Sequence, residues 1–240
     1  CHAKRTIYME ERIQHQIHPY ADVQDSQGTR IGLSQGVQDR SSQTRGSRGR
    51  FKKNLGLALG DAGDDVIIGF DDESTQRTDL NRCRIWGENK KVVKTNSTEV
   101  ISVNTMGFYP LNGEPVVFMP EKGNSESFCI FLQKVREANG DKRIVMITDN
   151  CRIHKTKEVY ACAEKLNITL CFLPPYSPQY NPIEFIWKTV KFELSKYGIL
   201  TRHQVEAVVE EVFMKEARFR SYAQYWIDLF IDLLPKKLCY

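Results

Sequence analysis

The side chains best placed to do chemistry in this sequence are acids at the ends of apolar segments. Asp149 closes the run Ile144-Val145-Met146-Ile147-Thr148. That run is short, rich in β-branched residues and without polar alternation, so it reads as a strand buried on both faces. Asp149 sits where the strand runs out, the edge of an α/β sheet at which ligands bind. Glu184 follows with 34 residues in between, in the first turn of an expected helix. Asn181 suits the N-cap, Pro182 the first helical position, and Ile183, Ile186, Trp187, Val190 and Leu194 form one apolar stripe. A third acidic feature, Asp71-Asp72-Glu73, follows the apolar run Val66-Ile67-Ile68-Gly69-Phe70. Three adjacent acids at a strand end are costly unless a cation or solvent relieves them. Carboxylate oxygens on such rigid elements are ligands for hard divalent ions.

The motif Asp149-Asn150-x-x-x-His154, then Phe172-Leu173-Pro174-Pro175-Tyr176-Ser177-Pro178-Gln179-Tyr180-Asn181-Pro182-Ile183-Glu184 and Trp187, strongly resembles the catalytic domain of mariner-type DDE transposases, including their prokaryotic insertion-sequence relatives. The resemblance extends over roughly residues 62–235. It implies an α/β, ribonuclease-H-like mixed sheet flanked by helices, with further helices at the C-terminus. It implies that Asp72, Asp149 and Glu184 are the catalytic, metal-binding acids. Asp71 and Glu73 then point elsewhere, because successive strand side chains alternate faces. Two Mg²⁺ or Mn²⁺ ions about 4 Å apart would activate an attacking oxygen and stabilise a leaving one. Asp149 or Asp72 would bridge the ions and Glu184 would complete one coordination shell. The implied reaction is hydrolysis at transposon ends, followed by attack of the freed 3′-hydroxyl on target DNA by a homodimer. The resemblance also implies that Arg84 and Trp86 stand beside the first acid, as DNA-contacting or supporting residues. The implied place of action is the nucleoid-associated cytoplasm of a prokaryote or the nucleus of a eukaryote.

Each site residue also has a plainer reading. Asn181 to Glu184 has the pattern of a capping box, with Glu184 reaching back to the cap. His154 can hold a scissile phosphate, orient a water or serve as a structural loop histidine. Asn150 is expected to support the backbone near the site, and Lys155 to contact phosphate or simply face solvent. Cys151, Cys162 and Cys171 read as small packing residues.

The elements that position these residues follow from the pattern. Residues 99–108 and 115–119 read as strands joined through Leu111-Asn112-Gly113-Glu114, a strong hairpin signal. Residues 125–138 and 157–165 read as helices, 169–173 as a buried strand, and about 202–216 and 221–234 as closing amphipathic helices. The hairpin makes the early strands antiparallel and the helical crossovers make the later ones parallel. Pro174, Pro175 and Pro178 stiffen the loop that delivers Glu184.

The chain has 240 residues, 41% hydrophobic and 27% charged, which suits a soluble globular domain. No apolar run approaches the roughly 20 residues of a membrane span. Seven scattered cysteines without a C-x-x-C pair argue against disulfides and zinc. The net charge of +4 permits a nucleic-acid partner. Residues 1–60 read as a poorly structured basic arm, ahead of a catalytic domain over 61–240. Arg40, Arg45, Arg48, Arg50, Lys52 and Lys53 suit phosphate neutralisation or a solvated linker. No pair of amphipathic helices there matches the end-reading helix-turn-helix of the resembled family. The chain opens on Cys1 rather than Met, which keeps a second function in view: a truncated or inactive remnant that only binds DNA or dimerises.

Overall fold

The structure, a computed structural model, describes residues 41–60, 65–79, 100–175, 177–197 and 200–238, the first five of these and Pro178 by backbone alone. Arg84, Trp86 and residues 1–40 lie outside the described residues. The described elements run α1 (Ser41–Leu59), β1 (Val66–Arg77), β2 (Ser102–Pro110), β3 (Val116–Phe118), α2 (Ser125–Asn139), β4 (Arg143–Thr148), α3 (Lys157–Lys165), β5 (Ile168–Phe172), α4 (Ile183–Ser195), α5 (Arg202–Glu216) and α6 (Gln224–Phe230). No helix among the described residues is long and apolar enough to cross a membrane.

The five strands form one mixed sheet in the order β3-β2-β1-β4-β5. β1, β2 and β3 pair antiparallel, while β1–β4 and β4–β5 pair parallel. Period-two alternation sends the sheet's side chains into two separate cores. Ile68, Phe70, Val145 and Ile147 face Trp187, Phe213 and Trp226 of the later helices. Ile67, Ile144 and Met146 face Phe128, Phe131, Leu132 and Val135 of α2 and Val159 of α3. Helices therefore cover both faces, and α4 packs across β1 and β2. Asn124 caps α2 by accepting from the Ser127 amide at 2.9 Å, and Gly140 closes the helix at a φ of 60°.

Three expectations are corrected here. The poorly structured arm does not extend to residue 60, because its last third is helix α1. Phe51, Leu55 and Leu59, spaced one turn apart, are buried in the core beside Tyr180 and Phe230. Arg143 donates to the carbonyls of Ala58 and Leu59 at the helix's C-terminal end, where a cation complements the dipole. Tertiary packing holds this helix, since its Arg-, Gly- and Ser-rich sequence has little tendency to form one alone.

Strand β1 also continues through Asp71, Asp72 and Glu73 to Arg77. β2 supplies a backbone partner at every step, down to Arg77 opposite Ser102. At the hairpin, Asn112 spends its side chain on β1, accepting from Ile68 N at 3.0 Å and donating to Val66 O at 2.7 Å. Gly113 is required there for close approach, because a Cβ would collide with Asn139 Oδ1 and Ile67. Finally, the closing helix expected over 221–234 is only α6, flanked by 3-10 turns at Arg220–Ala223 and Ile231–Leu233. Trp226 and Phe230 are buried while Tyr225 is exposed.

If α1 is an integral part of this domain, Leu55→Ala should cost about 2–5 kcal/mol in urea unfolding. A change within about 0.5 kcal/mol, as for a surface site, would show that the helix does not pack as described.

Candidate active site

Parallel pairing of β1 with β4 places two acids side by side. The last paired residues are Phe70 and Ile147, and Asp72 and Asp149 each stand two positions beyond them at one sheet edge. Adjacent strands are about 4.8 Å apart, so neighbouring carboxylates at such an edge feel one another strongly. Glu184 arrives from above, in the first turn of α4. Asp72, Asp149 and Glu184 line one cavity of about 410 Å³, together with Asn150, Leu173, Pro174, Pro175, Ser177 and Asn181. The proline-rich segment is thus the wall of the site as well as the tether of Glu184.

Burial pushes the Asp72 carboxyl up to about 8, and the charges of Glu184, Asp71 and Asp149 push the same way. Trp187 opposes them by donating its indole N–H to Asp72 Oδ2 at 3.0 Å. Asp149 is held below the ordinary carboxylate range, first by the hydrogen bond from His154, then by the Cys151 amide at 2.8 Å and the charges of His154 and Lys155. The two neighbouring acids are therefore driven in opposite directions by different surroundings.

His154 lies inside the protein, only 1% exposed, with its ring against Phe128 at 4.2 Å. Thr148 Oγ1 donates to Asp71 Oδ2 at 2.8 Å, which leaves the Thr148 oxygen as acceptor for His154 Nδ1 at 3.0 Å. Asp149 Oδ1 stands 3.2 Å from the same nitrogen, and Glu73 Oε1 lies 3.6 Å from Nε2. Burial alone would lower the His154 pKa. The partners Asp149 and Glu73 and the charge of Asp71 override it and lift the value to about 10. The raised pKa favours the charged form of His154 among these three acids, and of its readings the geometry fits the structural one. Asp71, fully buried, is pushed to about 7 chiefly by desolvation. As alternation requires, Asp71 and Glu73 serve this histidine while Asp72 faces the cavity.

Asn150 donates to the Leu173 carbonyl and accepts from Lys155 Nζ at 2.7 Å. Lys155 also lies over the Phe172 ring at 5.0 Å. The capping box is not formed. Helix α4 starts at Ile183 with Pro182 as its cap residue and no side-chain capping bond. Asn181 is instead buried, and its Oδ1, on a residue lining the cavity, has no hydrogen-bond partner among the described residues. Sequence reading missed this oxygen, the Trp187 bond to Asp72 and the roles of Asp71, Glu73 and Thr148. Only the alternation of β1 carried any signal for them.

The donors facing the cavity are oxygens, the set that suits Mg²⁺ or Mn²⁺. The orphaned Asn181 oxygen and the raised Asp72 both fit a cation-accepting site. Among the described residues, no three His, Cys, Asp or Glu side chains stand together at common coordination distance.

Comparison with known proteins adds two findings. Residues 68–206 match the family model described as DDE superfamily endonuclease. Among solved structures, the chain is similar to the Mos1 mariner paired end complex with Mn, at a TM-score of 0.55 and 13% identity over 93% of this chain and 68% of that one. It is similar to the Mos1 transposase paired-end complex with left transposon end, at 0.54 and 13% over 94% and 70%. It also resembles the Mos1 strand transfer complex, at 0.53 and 13% over 95% and 69%. At this identity the likeness establishes the fold, a ribonuclease-H-like mixed sheet flanked by helices. No curated protein matches the sequence.

Removing the buried imidazolium would leave Asp149, Glu73 and Asp71 without their counter-charge. His154→Ala should therefore lose about 3–5 kcal/mol in urea unfolding at neutral pH. The exposed His203, replaced in the same way, should stay within about 0.5 kcal/mol of the parent.

Proposed function

The chain belongs to the DDE superfamily endonucleases, and on that premise we propose that it is the catalytic domain of a mariner-type DNA transposase. One observation carries the reading: the three acids of the motif, all inside the family-matched segment, line a single cavity. The proposed substrates are transposon-end DNA and target DNA, and the proposed assembly is a homodimer. The structures it is similar to include paired-end and strand transfer complexes of Mos1, one of them with Mn. The proposed catalytic domain covers residues 61–240, and helix α1, which precedes it, adds its apolar face to the same core.

Asp72, Asp149 and Glu184 would hold the metal. Bound Mg²⁺ or Mn²⁺ supplies Lewis acidity at the attacking and leaving oxygens of a phosphodiester. The protein's own contribution is positional. Asp149 is kept ionised and fixed by His154 and the Cys151 amide. Glu184 is delivered on a helix by a loop whose prolines limit its alternatives, so little entropy is lost in placing it. The Asn150 bond to Leu173 ties the end of β4 to the loop leaving β5, which holds the cavity wall against the Asp149 strand.

A second reading is a remnant that binds DNA without cutting it. The observation in its favour is that no three acids of the described residues stand at common coordination distance. Cleavage of duplex DNA carrying the element's ends separates the two. Wild-type chain should nick it with Mg²⁺ or Mn²⁺, and Asp149→Asn should fall to the level of the chelated control. Nicking undiminished in Asp149→Asn would contradict the assignment. Wild-type binding without nicking in either ion would favour the remnant.

A further inference from the structure

The indole of Trp187 connects two of the three acids. Trp187 lies one turn after Glu184 on α4, so the side chains of both belong to one face of the helix. It is only 1% exposed, and its Nε1 donates to Asp72 Oδ2 at 3.0 Å across 115 residues of sequence. The ring rests against Phe213 of α5, with centroids 4.9 Å apart. Beneath both rings is Gly107, the residue of β2 paired directly with Asp72. A Cβ at Gly107 would come within 2.7 Å of Trp187 Cζ2 and 2.6 Å of Phe213 Cε2. These are core rings with no free end to swing aside. The strand opposite Asp72 is therefore bare of a side chain at the one position where the indole must pass to reach the carboxylate.

We infer that Trp187 is a positioning residue of the acid site, with Gly107 as the gap that admits it. The indole N–H occupies one Asp72 oxygen and fixes the rotation of the carboxylate. The same ring ties the helix of Glu184 to the strand of Asp72, so the two acids keep their spacing. A buried Trp needs a partner for its N–H, and here that need is met by a site acid. Trp226 supplies the contrast: it is equally buried in the same core, and its Nε1 has no hydrogen-bond partner among the described residues. The inference rests on the metal-dependent reading above and adds to it a buried residue that acts through Asp72.

The test is Mn²⁺ affinity, followed by the electron paramagnetic resonance of free ion, with folding checked by circular dichroism. Trp187→Phe keeps an aromatic ring and removes the donor. It should bind Mn²⁺ about 10–100-fold more weakly, as is typical when the partner of a metal ligand is lost. Gly107→Ala should reproduce the loss by displacing the ring. Trp226→Phe, the same substitution without a contact to Asp72, should bind as the wild type does. Wild-type affinity in folded Trp187→Phe overturns the inference. If Trp187→Phe does not fold, the double variant Trp86→Phe/Trp226→Phe leaves Trp187 as the sole tryptophan. Saturating Mn²⁺ should then quench its emission, and undiminished emission overturns the inference. Failure of wild-type chain to bind Mn²⁺ at all is a different result, and overturns the metal reading itself.

Discussion

Everything at this site depends on the parallel, in-register pairing of β1 with β4. That pairing brings Asp72 and Asp149 to the same height on neighbouring strands. Two like charges one strand apart repel, and the protein accommodates them by giving each a different environment. Asp149 has an imidazolium, a backbone amide and a nearby lysine, all favouring its ionised form. Asp72 has burial and three neighbouring acids against it, and one indole N–H in its favour. Such an arrangement is expensive in a structural core and fits a place where positive charge is to be received.

The rest of the fold keeps these carboxylates from moving away. Beneath the sheet, Phe128 and Thr148 seat His154, whose charge is shared among Asp149, Glu73 and Asp71. Above it, α4 carries Glu184 and, one turn later, the ring that reaches Asp72. The two faces of the sheet thus each contribute a polar anchor to the site. The lower anchor is held partly by charge alone: Asp71 Oδ1, Glu73 Oε1 and His154 Nε2 make no hydrogen bond among the described residues. Helix α1 contributes from a distance. Its Phe51 packs on Tyr180, in the loop that walls the cavity.

Much of this was legible in the sequence because short apolar runs and acids at their ends obey simple periodicities. The strand of Ile144 to Thr148, the helix from Ser125 and the alternation that parts Asp71 from Asp72 follow from local pattern. The Pro-rich motif carried the family, and the family carried the fold. What was not legible depends on distant partners. Nothing local in Arg- and Gly-rich α1 says that Phe51, Leu55 and Leu59 find a core. Nothing near Asp72 says that β2 keeps an acidic strand paired to Arg77. The Asn181-Pro182 pattern matched a capping box, yet the helix begins later and leaves the Asn181 oxygen without a hydrogen-bond partner among the described residues. Trp187 read as one more apolar stripe residue, because a hydrogen bond across 115 residues leaves no trace in a helical period.

The central claim is that Asp72, Asp149 and Glu184 serve one divalent cation site. Crystals of the chain soaked in Mn²⁺ and measured at the manganese absorption edge test it most directly. The account requires an anomalous peak in the cavity between these three carboxylates, lost in Asp149→Asn. A peak elsewhere, or one that survives that substitution unchanged, would contradict it.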